Sequence, residues 1–166
     1  MMFSVYLWLK FLHVLAVCTF VLSHGASIVF SFRLKREKEL PRIQAMMDLS
    51  GALWPAMMLS LLVILIAGII LGVMGKWWLG GWFWVSIVIS LGVTVWMFVI
   101  GQGTYHPMRK AFGLPYMHKS KEMPPEEPVS EAERFAMIEK TRPWQMFWIA
   151  FGGFVIVLWL MMFKPF

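Results

Sequence analysis

Four runs of apolar residues, each longer than a soluble core needs, decide what this chain can fold into. They cover about residues 3–32, 50–74, 79–101 and 144–163. Coiled as an α-helix, a run of roughly 18 or more apolar residues matches the hydrocarbon layer of a bilayer, which is about 30 Å thick. No water reaches backbone amides in that layer, so a single spanning segment satisfies them internally as a helix. The composition agrees: 60% of residues are hydrophobic and 14% charged, where an ordinary soluble domain has about 45–50% and about 25%. The expected fold class is all-α: an up-down bundle of four transmembrane helices forming one integral membrane domain over residues 1–166.

The connections refine this picture. The first, RLKREKELPRIQAMMDL over 33–49, is charged, with Pro41 placed to start a short helix. The second, 75–79, is so short that helices two and three must form an antiparallel hairpin. The third, 102–142, is the only long polar segment and holds Pro115, Pro124, Pro125 and Pro128. After these, Ser130-Glu131-Ala132-Glu133 has the form of a capping box, predicting a short cytoplasmic amphipathic helix that runs to about Lys140. Pro107 is expected to end helix three near His106, because residues before proline avoid the α region.

Charge sets the expected orientation. Arg33, Lys35, Arg36, Lys38 and Arg42 lie in the first connection; Arg109, Lys110, Lys119, Lys121, Arg134, Lys140 and Arg142 lie in the third. Only Lys76 and Lys164 stand on the other side. By the positive-inside rule the first and third connections are cytoplasmic and both termini outside, in a bacterial inner membrane. Trp77, Trp78, Trp82 and Trp84 at one end, with Trp144 and Trp148 at the other, fit interfacial aromatic belts. A net charge of +6 would raise nucleic acid as a partner of a soluble protein. Here no basic fold motif accompanies the charge, and no nucleic-acid partner is expected. The segment around the single Cys18 reads as an uncleaved anchor rather than a lipoprotein signal, since the apolar run continues to Phe32.

Several stretches carry a resemblance: Leu12-His13-Val14, Ser23-His24-Gly25-Ala26-Ser27, Phe32-Arg33-Leu34-Lys35-Arg36-Glu37, Asp48-Leu49-Ser50, Gly81-Trp82-Phe83-Trp84 and Arg109-Lys110-Ala111-Phe112-Gly113. Over helices one to three the chain resembles a bacterial family of uncharacterised four-helix integral membrane proteins, a domain of unknown function. That resemblance implies an architecture and no activity. The Lys10-Phe11-Leu12-His13-Val14 start is also similar to the first helix of copper-resistance-D-type proteins and of HemJ-type protoporphyrinogen oxidases. The HemJ-type resemblance implies a b-type haem held partly by His13. That family's proline-arginine pattern after helix one is replaced here by Ser31-Phe32-Arg33-Leu34, and helices two and three contain no lysine. Both departures argue against protoporphyrinogen oxidation.

The residues that can carry chemistry are few. His13 and His24 are eleven residues apart, about 16 Å of rise on nearly the same helix face. With Tyr6, Phe20 and Ser31 they make one stripe, which suits haem ligation and equally suits a polar stripe facing the bundle interior. Ser60 or Ser90 is the hydrogen-bonding partner expected for His13 in the second case. His24 and His106 should reach similar depths from different helices, and two imidazoles can clamp a haem iron or share a metal ion. Gln102, Thr104, Tyr105, His106 and Arg109 form a polar cluster that could seat a quinone or a lipid head group, or simply anchor the interface. Methionines such as Met57, Met58, Met97 and Met108 read as core filler. Gly68, Gly72, Gly92, Gly152 and Gly153 read as points of close helix approach.

The leading functional expectation is a haem-b-binding membrane protein in electron transfer or a redox complex. His24 and His106 are its expected ligands, with His13 as an alternative or a second site and Tyr105 and Arg109 lining the cofactor. The rivals are a cofactor-free scaffold or accessory subunit and a small transporter subunit, with a homo-oligomer or larger membrane complex as context. No nucleophile–base pair, phosphate loop or intramembrane carboxylate pair is present, and helices two and four lack ionisable groups through their middles. That disfavours a self-sufficient proton pump or charged-solute transporter.

Overall fold

The computed structural model describes residues 2–118 and 121–166, without the side chains of Met2 and Gln102. Lys119, counted above among the basic residues of the third connection, and the side chain of Gln102 thus lie outside the described residues. The chain is built from α1 (Met2–Leu34), α2 (Leu40–Met74), α3 (Gly81–Ala111), β1 (Tyr116–His118), β2 (Lys121–Met123), α4 (Glu131–Lys140) and α5 (Pro143–Phe163). A single 3-10 turn, Trp77–Leu79, joins α2 to α3. Among the described residues four helical segments are long and apolar enough to cross a membrane, the last running from α4 into α5. The outward surface is correspondingly apolar, with Leu22, Leu59, Val88 and Val99 all exposed. This is a multi-pass membrane protein with an all-α fold.

The expected spans are present, with two corrections at their ends. Pro41 does begin a helix, at its N-terminal end, but that helix is α2 itself, which runs unbroken to Met74. α3 continues through Pro107 to Ala111 rather than stopping at His106. Proline in a helix removes the bond to the carbonyl four residues earlier and crowds it, at a cost of about 3 kcal/mol in water. That carbonyl belongs to Gly103 here, and to Gly51 for Pro55 inside α2. What holds the last turn of α3 in place is burial: Met108, Ala111 and Phe112 are all inside the protein, Phe112 completely. The small antiparallel ribbon β1–β2, with Tyr116 opposite Met123, has no counterpart in the expectations. The short helix does: Ser130 caps α4, accepting from the Glu133 amide while the Glu133 carboxylate accepts from the Ser130 amide.

α1 lies along α2 and α3 lies along α5, while α1 also touches α5. The hairpin neighbours α2 and α3 meet at their ends. At one end the Tyr105 hydroxyl donates to the Met47 carbonyl. At the other the Phe83 ring packs over Gly72, where a Cβ would overlap it. The order around the bundle is therefore α2, α1, α5, α3, with α1 and α3 diagonal to one another.

Tight packing is likewise concentrated at the ends. One cluster joins Ile43 and Met47 of α2, Met108, Ala111 and Phe112 of the α3 end, Leu114, and Ile138 of α4. The other joins Trp82, Phe83 and Leu160. There the chain's end folds back: the Phe166 carbonyl accepts from the Trp82 amide, and Lys164 lies over the rings of Trp77 and Trp82 at 4.5 and 5.5 Å. Between Ser86 and Met108 of α3, and between Pro143 and Leu160 of α5, no described side chain is buried. Of the glycines expected at helix contacts, Gly68, Gly72 and Gly153 have close neighbours, whereas Gly92 and Gly152 face open space.

Candidate functional site

α1 and α2 pair along a seam that takes up the polar groups of α1. Thr19, Ser27 and Ser31 return their hydroxyl protons to carbonyls four residues earlier. This is the usual way a membrane helix accommodates a hydroxyl. Ser50 of α2 donates to the Ser27 hydroxyl oxygen at 3.2 Å, which fixes the register of the two helices. Ser60, a candidate partner of His13, instead donates to the Met57 carbonyl of its own helix.

His13 and His24 both face α2. The His13 ring lies over Gly68, where a Cβ would come within 3.2 Å of its Cε1, and beside the backbone of Ile64. Its Nδ1 is buried without a hydrogen-bond partner. The His24 ring stacks on Phe20, four residues earlier, with centroids 5.4 Å apart and planes 11° from parallel. Its Nδ1 meets the thioether sulfur of Met57 at 3.3 Å. Sulfur only accepts, so this contact selects the tautomer with the proton on Nδ1 and leaves the lone pair on Nε2. Met57 therefore orients an imidazole, a role that its apolar surroundings in the sequence gave no reason to assign.

His106 stands on α3, diagonal to α1. The depths of the two histidines can be compared through α2. Ser27, one turn from His24, is bonded to Ser50. Tyr105 and Arg109 reach Gly51, the next residue of α2, each 3.3 Å from where its Cβ would stand. His24 itself reaches Met57, six residues further along α2 than Gly51, about 9 Å of rise, so His106 stands nearer the basic end than His24. The Nδ1 of His106 is buried and unpartnered. No hydrogen bond or ring contact among the described residues joins His106 to His24; their ring neighbours are Tyr105 and Phe20 respectively.

Tyr105 and Arg109 of the polar cluster are engaged in holding helices together. Arg109 donates through Nε to the Pro115 carbonyl at 2.6 Å, through one terminal nitrogen to the Met47 carbonyl at 3.1 Å, and through the other to Asp48 at 2.8 Å. Its guanidinium also lies over the Tyr105 ring, 5.8 Å from the centroid. The side chain is 13% exposed, against 55% for Asp48. Gln44 donates to the Phe112 carbonyl at 2.7 Å. Asp48, Met47 and Gln44 of α2 are thus the partners of the α3 end. Only the acid–base complementarity of Asp48 and Arg109 could have hinted at this from sequence. His118, at the end of β1, is exposed.

The donors available for a cofactor follow from this. No group of three or more His, Cys, Asp or Glu side chains able to hold a metal ion exists among the described residues. A His24–His106 metal site would therefore have only those two protein ligands of these types. A haem, if held here, would take one or two imidazole nitrogens as ligands to its iron and would supply one-electron chemistry. His24, with Nδ1 tied to Met57 and Nε2 free, has the arrangement common to metal-ligating histidines, whose second nitrogen is held by a neighbouring group. His106 offers an orphaned buried nitrogen. His24, His106 and His13 each offer a ring nitrogen to a cofactor, and no hydrogen bond or ring contact among the described residues joins any two of them. Set against known proteins, the chain matches no family model, no curated protein and no solved structure.

Proposed function

We propose that this chain is a redox subunit of a bacterial inner membrane that binds b-type haem, with His24 and His106 as axial ligands. What supports the reading is two imidazoles on different helices: His24, whose Nδ1 is held by Met57, and His106, whose buried Nδ1 has no partner among the described residues. When bound, haem supplies one-electron transfer. The protein's own residues set the ligands. Met57 accepts the Nδ1 proton of His24 and Phe20 stacks on its ring, which together restrict its rotation. The bonds of Tyr105 and Arg109 to Met47 fix the height of the α3 end, and with it His106. The excess of Lys and Arg in the first and third connections supports a cytoplasmic location for this end.

A second reading, a cofactor-free accessory or small transporter subunit, is favoured by the same seam. Met57 and Gly68 give His24 and His13 packed surroundings without any ligand. Visible spectra of the detergent-purified protein, oxidised and reduced, separate the two. The haem reading expects a Soret band and sharp reduced bands that disappear in both His24→Ala and His106→Ala, whereas Met57→Leu shifts the midpoint potential and keeps the bands. A folded but colourless protein from cells supplied with haem precursor would establish the second reading instead.

A further inference from the structure

We infer that the groove between the end of α1 and the α4–α5 junction binds the phosphate headgroup of an acidic phospholipid. The groove, about 770 Å³, opens on the basic side of the bundle. Lys35 and Arg36 line it from the turn after α1, and Lys140 and Arg142 from the α4–α5 junction. All four are exposed. None of the ion pairs among the described residues involves them; those pairs use Arg42, Arg109 and Lys110. Glu139 is the single acidic residue of the lining, and what Lys35 contacts there is its backbone carbonyl, at 3.2 Å. Like charges gathered in one concavity repel unless an anion joins them.

Two features make that anion a lipid. The groove lies at the mouth of the bilayer: α5, a membrane span, begins at Pro143 on its wall. Its remaining wall is aromatic, with the Phe32 ring edge-on to Trp144 at 4.7 Å. Trp at this position marks the headgroup level. Below it Phe147 and Phe151 stack at 5.3 Å, continuing the α1–α5 seam into the hydrocarbon layer as a track for acyl chains. Basic pockets between membrane helices are a known means of holding anionic headgroups. The first turn of α5 adds backbone amides that no side chain caps. The site is independent of the histidines and of any haem.

The test is lipid binding measured by native mass spectrometry on the whole protein, titrated with dioleoylphosphatidylglycerol and, separately, dioleoylphosphatidylcholine. Wild type is expected to bind the glycerol lipid in preference. Arg36→Gln with Arg142→Gln should lose about tenfold or more of that affinity, since each basic side chain near a membrane surface contributes to holding anionic lipid. Lys38→Gln with Lys121→Gln removes the same charge from the same side outside the groove, and should stay within about twofold of wild type. Equal losses in the two double variants would mean diffuse attraction and overturn the site, as would equal binding of the two lipids by wild type. Displacement of the lipid by millimolar inorganic phosphate would assign the groove to free phosphate and overturn the lipid assignment. A wild-type measurement of phosphatidylglycerol retention against rising salt decides the matter independently of how the variants fold. Retention to high salt supports a seated headgroup, and loss at low salt rejects it.

Discussion

The basic end of the bundle and the histidine seam above it use polar groups in opposite ways. At the basic end Gln44, Tyr105 and Arg109 each donate to a backbone carbonyl across the α2–α3 contact, and an apolar cluster closes around them. In the seam, the His24 imidazole has a thioether and a stacked ring for neighbours, and His13 has a buried nitrogen with no partner among the described residues. The first pattern is how a protein fixes geometry, since leaving a buried donor or acceptor unpaired costs about 1–3 kcal/mol. The second is what a ligand-binding surface looks like before its ligand arrives, and it is also what weakly polar packing looks like. The contrast teaches that the polar cluster at the α3 end, which from sequence reads as a candidate quinone or haem lining, is chiefly a latch. The proposed haem chemistry rests on His24 and His106.

Breaking the latch should have the largest effect. Arg109→Ala removes donors to two carbonyls and to Asp48 at a mostly buried position. A loss of about 3 kcal/mol is expected, from the lost bonds of a charged donor to the Pro115 and Met47 carbonyls at about 1.5–3 kcal/mol each. Unfolding of the detergent-solubilised protein by SDS titration measures it, and a loss below that of a surface substitution would show the latch to be incidental. Next comes the seam itself. Gly68→Leu drives a side chain into the His13 ring and should cost about 1–3 kcal/mol. Gly92→Ala, which meets open space, should be neutral or slightly stabilising. Equal effects at the two glycines would contradict the packing described for His13.

A smaller change is expected where the seam is soft. His24→Ala and Met57→Leu should each move the thermal midpoint by the equivalent of about 1 kcal/mol or less, because a sulfur contact is weak. Asp48→Asn should cost under about 1 kcal/mol, its carboxylate being half exposed. The smallest effect is local and depends on pH. In the third connection Tyr116 donates to the Glu126 carboxylate, and Lys110 pairs with its other oxygen. The Tyr116 hydrogen bond first, and then that from Lys110, hold the Glu126 carboxyl below its ordinary value. A depressed carboxyl stabilises the fold above its unfolded pKa, and that contribution is lost as pH falls through the lower folded value. Protection of the β1 and β2 amides, measured relative to their intrinsic exchange rate at each pH, should therefore fall on acidification below the usual carboxylate range. In Tyr116→Phe that protection should already be lower at neutral pH, with a weaker pH dependence.

The spans, the charged connections and the capping box of α4 were legible in the residues because each is a local property. Hydropathy over one run sets a helix in a bilayer, and a serine three residues before a glutamate sets a helix start whatever surrounds it. The end of α3 was not legible. Proline gives a correct local reason to stop at His106, and the burial of Phe112 among α2 and α4 residues outweighs it. Nor could any run of residues announce that Met57 would meet His24 across 33 positions, or that Arg109 would find Asp48 across 61. Hydrophobic patterning tells a segment to enter the membrane but is nearly silent on which neighbour it meets there, because lipid and apolar side chains are almost equivalent solvents. Helix pairing, and so the surroundings of each histidine, came from shape and from the few polar groups that had to find one another.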